Sequence, residues 1–485
     1  MQYGKAFLFL LTMCVSAGLF ANNVYDIHDF GAIGNRTQNA TMCIQQAIDK
    51  CTLSGGGTVV VSPGEYLSST IVLKDNVTLY LMPGSTLLAS NKEEDYHTFF
   101  SLDDTGGGGV PMLIFAEGAR NISIKGEGKI VGQPEYYESP MEYSPFIAED
   151  CDAAIEAGVP MISSKWKKPN VSLILLSECS DVRIENISLI SSPFWTFHAH
   201  WCERVSIHGV YIYSKQNVAA NADGLDIDGC KNVTISDCII ETADDAICLK
   251  TTNGKGGYHN CENVAVSNCI LSTSSCALKL GTESYGNFEH ILFSNCVIRN
   301  SNRAMGIFIR DGGVANDVMF TNMTIECVRK PVGWWGSADA MRFVVLKRNE
   351  NSKIGGIRNL TISNIIAHCQ GSNRFSGFEG TSTIENVKLS NVRLFIYPEL
   401  TPDKRAKEGL SVSNAKNVSL SDCHVEWMSD TPGPKWSGSF IFENVDNLIA
   451  NDLVAVNPNK GCKPIFEKKV INSKKIKDIT IIKKK

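Results

Sequence analysis

Three aspartates in the middle of the chain have the side chains best suited to chemistry. Asp223 lies in the segment NADGLDID, residues 221–228, and Asp244 and Asp245 lie in ETADDAICLK, residues 241–250. Carboxylates held close together raise each other's pKa, and such shifts allow one residue type to serve as general acid and as general base. Aspartate is also common in turns, so the residues alone leave a purely structural role equally open.

These aspartates lie in a chain that is built from one recurring unit. Copies such as NVTISDC (232–238) and NVAVSNC (263–269) alternate apolar and polar residues and then reach Ser or Thr and Asn or Asp. That pattern is typical of a short strand that runs into a turn. We define the second residue of each copy as its anchor, and the anchors are Val182, Val205, Val233, Val264, Ile291, Val318, Leu360, Val387, Val418, Leu448 and Ile479.

Most anchors are 23 to 31 residues apart, with one longer gap after Val318. A strand that recurs at this interval without an intervening helix predicts an all-β fold, a single-stranded right-handed parallel β-helix. Coils of such a solenoid stack about 4.8 Å apart. Asp223 and Asp244 are 21 residues apart, close to one coil, so we expect them and Asp245 to meet on neighbouring coils of one face.

Four cysteines occupy one position of the repeat. Cys238, Cys269, Cys296 and Cys423 each lie five residues after an anchor. We predict a stacked, buried and reduced row of small side chains. Disulfides are the alternative, because removal of an N-terminal signal would leave an even number of cysteines. A metal site is not expected, since no CxxC pair or histidine-rich spacing accompanies them.

The ends of the chain and one long segment depart from the repeat. Lys5 and the apolar run of residues 6–14 predict a secretory signal peptide over residues 1–21, which leaves one β-helix domain over residues 22–485. An amphipathic helix over residues 41–51 is expected to cap the solenoid end. Residues 136–170 lack the repeat and are interpreted as a long loop that could carry binding function.

Composition excludes some classes of partner. The formal net charge is −5, so the chain has no global basic field and nucleic acid is not an expected partner. The apolar N-terminal run is too short to span a membrane comfortably, and we expect no membrane span.

Several motifs resemble those of glycoside hydrolase family 28, the polygalacturonase-like pectin hydrolases. NADGLD and DDAICLK are similar to the NTDG-D and DDC-A-K motifs of that family, and the spacing of their first aspartates is similar too. DFGAIG (29–34) and GGGTVVVSPGEYL (55–67) resemble the start of many pectin-active β-helix proteins, and SPFWTFH (192–198) resembles a segment of exo-acting members. The resemblance spans most of the mature chain and implies a pectin-lyase-like solenoid.

The resemblance also implies roles for individual residues. Asp244 matches the family's general acid, and Asp223 and Asp245 match the pair that activates water. Arg310 matches a basic residue that grips uronate carboxylates.

Two departures from the family pattern leave the exact substrate open. Ser275-Cys276-Ala277 stands where the family has Gly-His-Gly, and Phe308 stands where it has arginine. Lys279 could replace a lost positive contact or be simply solvated.

Aromatic residues and histidines are further candidates for the cleft. Trp195, His198 and His200 could line it, although a histidine on such a face is more often structural. Trp334 and Trp335 could form a wall against which sugars stack, with buried packing as the equal alternative.

We therefore expect a secreted, monomeric enzyme, without metal or cofactor, that acts on an acidic plant-type polysaccharide. The predicted reaction is hydrolysis of α-galacturonosyl bonds in pectin or rhamnogalacturonan-type polymers by an inverting mechanism. A β-helix polysaccharide lyase, with these aspartates as calcium ligands, and a non-catalytic carbohydrate-binding solenoid are the alternatives. Endo or exo action and the exact linkage stay open.

Overall fold

The computed structural model describes residues 23–97, 99–101, 109–218, 220–429, 433–457, 463–473 and 477–483. The predicted signal peptide, residues 1–21, lies outside the described residues. No helix in these ranges is long and apolar enough to cross a membrane.

The chain forms a parallel β-helix in which each coil contributes strands to three parallel sheets. The first sheet carries the candidate site, and we call it the cleft sheet. Its strands are Ile71–Val72, Val110–Glu117, Ser172–Ser177, Phe197–His200, Leu225–Asp228, Ile247–Thr251, Cys276–Ser284, Arg303–Ile309, Asp339–Val345, Asn373–Ser376, the first parts of Glu408–Trp427 and Gly438–Asn457, and Ile465–Lys468.

The second sheet contains the repeat anchors, and we call it the anchor sheet. Its strands are Val24–Asp26, Gly57–Val61, Val77–Leu81, Arg120–Gly126, Ser180–Glu185, Glu203–His208, Lys231–Ser236, Cys261–Ser267, Phe288–Ser294, the first parts of Val314–Cys327, Gly356–Cys369 and Ile384–Ile396, and the middle parts of the two long strands named above.

The third sheet follows the anchor sheet in every coil. Its strands are Asn35–Asn39, Gly64–Ser68, Ser85–Ala89, Lys129–Val131, Ser188–Ile190, Tyr211–Tyr213, Ile239–Thr242, Ile270–Thr273, Val297–Ser301, the last parts of the five long strands, and Lys477–Lys483.

The anchors form one buried row along the solenoid, as the repeat predicts. Val205 pairs with Val233, and the register continues through successive coils to Leu448. Each anchor from Val182 to Leu448 follows a residue with positive φ, such as Asn232 at 58° and Asn263 at 57°. Asparagine tolerates this left-handed backbone better than most residues, which explains its recurrence at the turn.

The prediction for the last anchor is wrong. Ile479 pairs with Leu453 in the third sheet, one sheet beyond the row of anchors that ends at Leu448. Strands of both sheets alternate apolar and polar residues in the same way, so the local pattern could not distinguish the two sheets.

The predicted capping helix is present. Helix α1 spans Thr41–Leu53, two residues longer than expected, and buries Ile44, Ala47, Ile48 and Cys51 in the same core as the first coils. A 3-10 helix, Ile27–Phe30, packs beside it. Within the described residues, no helix lies beyond Glu156.

The cysteine row is buried and reduced, as predicted. Cys238, Cys269, Cys296 and Cys423 are at most 2% exposed and are free thiols. The thiols of Cys238, Cys269 and Cys296 point to carbonyl oxygens two residues before each of them. The repeat therefore selects a small side chain at this corner of the coil.

The segment interpreted as a long loop has regular structure of its own. Strands Tyr136–Pro140 and Ile162–Trp166 pair in an antiparallel hairpin. Between them lie a 3-10 helix, Pro145–Ile147, and helix α2, Ala148–Glu156. We call residues 136–166 the strap, because it crosses the cleft sheet. Other 3-10 and antiparallel elements are Glu93–Asp95 and Phe99–Phe100.

Candidate active site

A cleft of about 470 Å³ lies between the cleft sheet and the strap. Its floor is formed by outward-facing residues of successive cleft-sheet strands, and the strap contributes residues 145–150 to one wall. The charged residues that line the cleft include Asp223, Asp244, Asp245, Lys279, Arg310 and Arg342.

The fold brings the three predicted aspartates together. Leu225 pairs with Ile247, so the turns that precede these two strands are stacked, and they carry Asp223 and Asp245. One oxygen of each of Asp223, Asp244 and Asp245 lies within 4.8 Å of the others. All three side chains are nearly inaccessible to solvent, at 2–4% exposure.

Asp245 is held in its charged form. One carboxylate oxygen accepts hydrogen bonds from Ser275 Oγ at 2.8 Å and from the backbone N–H of Cys276 at 3.1 Å. The other oxygen lies 2.5 Å from Lys279 Nζ. Although burial opposes ionisation, the charges of Lys279 and Lys250 hold the pKa of Asp245 below its ordinary value.

Asp244 and Asp223 are shifted in the opposite direction. Burial, followed by the negative charge of Asp245, raises the pKa of Asp244. Burial, followed by the charges of Asp226 and Asp244, raises the pKa of Asp223 well above its ordinary value. Asp244 still accepts a hydrogen bond from the Asn221 backbone N–H at 2.9 Å. The site therefore shifts the pKa values of neighbouring carboxyl groups in opposite directions, as acid–base catalysis requires.

A lysine that the sequence analysis did not single out balances this cluster. Lys250 Nζ lies 3.3 Å from Glu283, 3.6 Å from Asp226 and 3.9 Å from Asp223. It also lies 4.6 Å from the centre of the Trp195 ring. Burial raises the pKa of Asp226 to about 8, despite Lys250. The alternation of outward residues in NADGLDID and DDAICLK is the pattern that could have found Asp226 and Lys250.

Arg310 lies in the same cleft. It follows its anchor Ile291 by 19 residues, much as Asp223 follows Val205 by 18, and these similar offsets predict that both lie on one side of the solenoid. They do not share a register position: the register partner of the Asp223 position, three coils on, is Arg303, so Arg310 lies further along its coil. Inserted turns of different length shift residues that are equally far from their anchors. The Arg310 guanidinium packs 3.9 Å from the Phe146 ring centre, and its Nε and Nη2 have no partner among the described residues.

The aromatic and histidine candidates divide into two groups. Trp195 and Trp335 line the cleft, and Trp335 is 39% exposed. Trp334 is buried and packs against Ala222 and Ala243, which confirms the packing alternative for it.

His198 does not reach the cleft. It is 1% exposed, lies 3.4 Å from Asp228 and contacts the edge of Trp195 from behind. Phe100 and Trp195 cover its ring, so His198 takes the structural role that the sequence analysis gave as its alternative. His200, 5% exposed, is enclosed in the same way between Phe100 and Trp201.

The two departures from the family motifs have structural counterparts. Cys276 replaces a histidine and supplies only its backbone N–H to Asp245. Phe308 replaces an arginine, and its ring lies 5.0 Å from the guanidinium carbon of Arg303. Arg303 forms a two-bonded ion pair with Asp339, at 2.5 and 3.1 Å. Arg303 is thus a basic residue of the cleft to which the motif comparison did not point.

The aspartate cluster could in principle hold a cation, because its three oxygens converge. However, Lys279 and Lys250 already provide two positive charges within ion-pair distance of Asp245 and Asp223. The arrangement is that of a proton-transfer site whose charge is balanced by lysines.

The fold and the site together define a parallel β-helix protein whose cleft contains a cluster of carboxylates paired with lysines. The chain belongs to the glycosyl hydrolases family 28, whose family model matches residues 97–394.

Curated relatives are similar over about half of the chain. A probable polygalacturonase from Vitis vinifera is 26% identical over 233 residues, which are 46% of this chain and 43% of the relative. The exo-poly-alpha-D-galacturonosidase of Dickeya chrysanthemi is 24% identical over 46% of this chain and 41% of its own length. The matches thus span less than half the length of these two relatives.

Solved structures share the fold at low identity. A hyperthermoactive exopolygalacturonase from Thermotoga maritima superposes with a TM-score of 0.61 at 21% identity, over 77% of this chain and 87% of that chain. The family 28 exopolygalacturonase of Yersinia enterocolitica superposes with a TM-score of 0.66 at 19% identity, over 93% and 78%.

Proposed function

We propose that the protein hydrolyses α-galacturonosyl bonds in pectin or rhamnogalacturonan-type polysaccharides, with inversion at the anomeric carbon. The observation that carries the proposal is the split between Asp244, whose pKa is raised, and Asp245, whose pKa is lowered, in one buried cluster. Such pairs are the general acid and general base of glycoside hydrolysis.

In the proposed reaction, Asp244 donates its proton to the glycosidic oxygen as the bond from that oxygen to the anomeric carbon breaks. A water molecule attacks the anomeric carbon, and Asp245 accepts the proton that this water loses. Asp223 hydrogen-bonds the attacking water. Each Asp245 oxygen already accepts a hydrogen bond, from Ser275 and Lys279 respectively, and these bonds keep the carboxylate ionised and fix its orientation.

The separation of the carboxyl groups makes the stereochemistry worth measuring. Their nearest oxygens are within 4.8 Å, whereas inverting pairs generally stand about 6.5–9.5 Å apart. Proton NMR of the first-formed anomer decides the point. A product that initially retains the α configuration would contradict inversion while leaving hydrolysis intact.

The lyase alternative is disfavoured by the lysines. A lyase needs a neutral base to remove the proton next to the uronate carboxyl group. Although burial favours the neutral amine, Asp245 raises the pKa of Lys279 above its ordinary value, and Glu283 and Asp226 contribute to a raised pKa of Lys250. Both amines are therefore held charged and are poor bases.

A non-catalytic carbohydrate-binding role is disfavoured by the cost of the cluster. Burying three aspartates within 4.8 Å of one another destabilises the fold. Such a cluster is expected where a function requires it. An anionic substrate also fits the cleft, because the unpaired nitrogens of Arg310 can bind a uronate carboxylate.

We further propose that the enzyme acts at chain ends. The strap crosses the cleft sheet from Asp150, which lies 2.7 Å from Arg405, to Phe146, which covers Arg310. A cleft blocked across its width accepts the end of a polymer better than its middle. The relatives from Dickeya, Thermotoga and Yersinia are named as exo-acting enzymes, which agrees with this proposal.

The proposed setting is outside the cytoplasm, where plant polysaccharide is encountered. The apolar N-terminal segment motivates this, and we propose that a signal peptide over residues 1–21 directs export of a monomer. N-terminal sequencing of the protein recovered from the medium or periplasm tests the cleavage. Recovery of the intact N-terminus from the cytoplasm would contradict it.

The decisive experiment is Asp244→Asn with polygalacturonate and rhamnogalacturonan as substrates. An amide cannot donate the required proton, so the rate should fall by at least about 100-fold while substrate binding persists. Reducing-end assays measure the rate, absorbance of unsaturated products detects a lyase, and the melting temperature controls for folding. Asp237→Asn, an exposed aspartate on the anchor sheet side, is the matched control. A variant that keeps more than about a tenth of the wild-type rate would contradict the role of Asp244.

A further inference from the structure

One outward row of the cleft sheet carries three cations. Cys248, Lys279, Gly306, Arg342 and Arg374 occupy the same register position on successive strands. A Cβ at Gly306 would come within 2.6 Å of the Phe308 ring. The ring therefore occupies the space above Gly306, whose strand lies between those of Lys279 and Arg342. Arg342 itself lines the cleft.

Arg342 differs from its neighbours because no carboxylate of the described residues lies within ion-pair distance of it, although Asp339 and Glu149 are near enough to act on its charge. Arg303 forms a two-bonded ion pair with Asp339. Arg374 binds Glu408 and lies 2.7 Å from Glu149 of the strap. Among the described residues, none forms a hydrogen bond or an ion pair with the Arg342 side chain.

The surroundings of Arg342 disfavour its positive charge, so a bound anion would stabilise it. Burial, followed by the positive charges of Arg374 and Arg303, lowers the pKa of Arg342 to about 10. At neutral pH the partly buried guanidinium is still charged, and the carboxylates of Asp339 and Glu149 do not cancel the effect of burial and of the two cations. A charge held in this way is destabilising until an anion binds beside it.

We propose that Arg342 is a specificity-determining residue that binds a carboxylate of the uronide chain at the strap end of the cleft. The inference rests on the proposed function and adds a residue that the family motifs in this sequence do not include. A planar guanidinium can form two parallel hydrogen bonds to a carboxylate, which a neutral or esterified sugar cannot provide.

The position of Arg342 indicates which part of the substrate it contacts. Its strand is three strand spacings from that of Asp245, about 14 Å at about 4.8 Å a spacing. That distance is longer than the sugar residue whose glycosidic bond is broken. The carboxylate at Arg342 therefore belongs to a sugar remote from the cleaved bond. The next residue of the row, Arg374, is paired with Glu149 of the strap.

The test compares Arg342→Gln with the wild type on trigalacturonate and on the same trimer fully methyl-esterified. We expect KM for trigalacturonate to rise about tenfold to a hundredfold with kcat nearly unchanged, because a charge-assisted hydrogen bond to the substrate is lost. Parameters for the esterified trimer should hardly change. The preference of the enzyme for acid over ester therefore falls by the same factor.

Two further variants keep the experiment decisive. Arg342→Met retains an unbranched side chain without charge, and it replaces the Gln variant if that protein does not fold. Arg393→Gln removes an exposed arginine from the third sheet and should leave all parameters unchanged. An unaltered preference for acid over ester in folded Gln or Met variants would overturn the inference about Arg342 alone. A wild-type protein that hydrolyses neither trimer nor any polyuronide would instead overturn the proposed function on which it rests.

Discussion

At the scale of single residues, neighbouring aspartates receive different protonation behaviour from their contacts. Asp245 accepts hydrogen bonds from Ser275 and Cys276 and is paired with Lys279, while Asp244 is buried beside that negative charge. The raised pKa of Asp244 and the lowered pKa of Asp245 should produce a bell-shaped pH profile. Activity requires Asp245 ionised and Asp244 protonated, so it is lost below the first pKa and above the second.

Lys279→Met tests this electrostatic arrangement. Lys279 lowers the pKa of both Asp245 and Asp244, so its removal should raise both values and move the whole profile of kcat/KM to higher pH. The measurement is kcat/KM for polygalacturonate across the acidic range. Lys231→Met, at an exposed position of the anchor sheet, is the control. A profile whose two limbs stay in place would contradict the role assigned to Lys279.

At the scale of secondary-structure elements, each corner of the coil selects one type of residue. Asparagine recurs where the backbone is left-handed, and its side chains hydrogen-bond from coil to coil, as between Asn263 and Asn232 at 3.0 Å. Cysteine recurs at the next corner, where Cys238, Cys269 and Cys296 lie in one buried row. These rows are local consequences of stacking, so the repeat alone predicts them.

The cysteine row gives a prediction about redox state. The 15 described cysteines should all titrate as free thiols after denaturation without reductant. In the native protein they should react slowly, because nearly all are buried and a thiol reagent cannot reach them. Thiol counting with and without denaturant provides the measurement. Markedly fewer than 15 thiols under denaturing conditions would show that disulfides form.

At the scale of the whole molecule, the strap connects distant coils across the site. Its Glu149 lies 2.7 Å from Arg374, Asp150 lies 2.7 Å from Arg405, and Trp166 Nε1 donates to the Ala220 carbonyl at 2.7 Å. These contacts hold it over the cleft at both ends. The length of accessible cleft is therefore set by an insertion and not by the repeat.

Loosening the strap should change the products. Wild-type digestion of polygalacturonate should release short products while viscosity falls slowly. The double variant Glu149→Gln, Asp150→Asn removes the two anionic contacts that helix α2 makes with arginines beside the cleft, and we expect longer oligomers to appear early. Glu156→Gln, which removes only an exposed pair with Lys435, is the control. Chromatography that shows random-length products from the wild type would contradict chain-end action.

The sequence by itself determined the β-helix, its capping helix and the meeting of Asp223, Asp244 and Asp245. These features follow from a local pattern that repeats, and stacking converts equal positions in the pattern into neighbours. The same argument failed where coil lengths vary, because inserted turns shifted the register at Arg310 and the alternation could not assign Ile479 to its sheet.

Only the tertiary structure decided how the cleft is walled and charged. Glu149 and Arg374 are 225 residues apart in the chain, and no local pattern connects them. Whether an outward residue such as His198 or Arg342 faces solvent, a partner or an empty cleft depends on side chains from other coils and from the strap. Ion pairing and burial depend on the folded environment, so only the folded molecule shows that Arg342 forms no ion pair among the described residues.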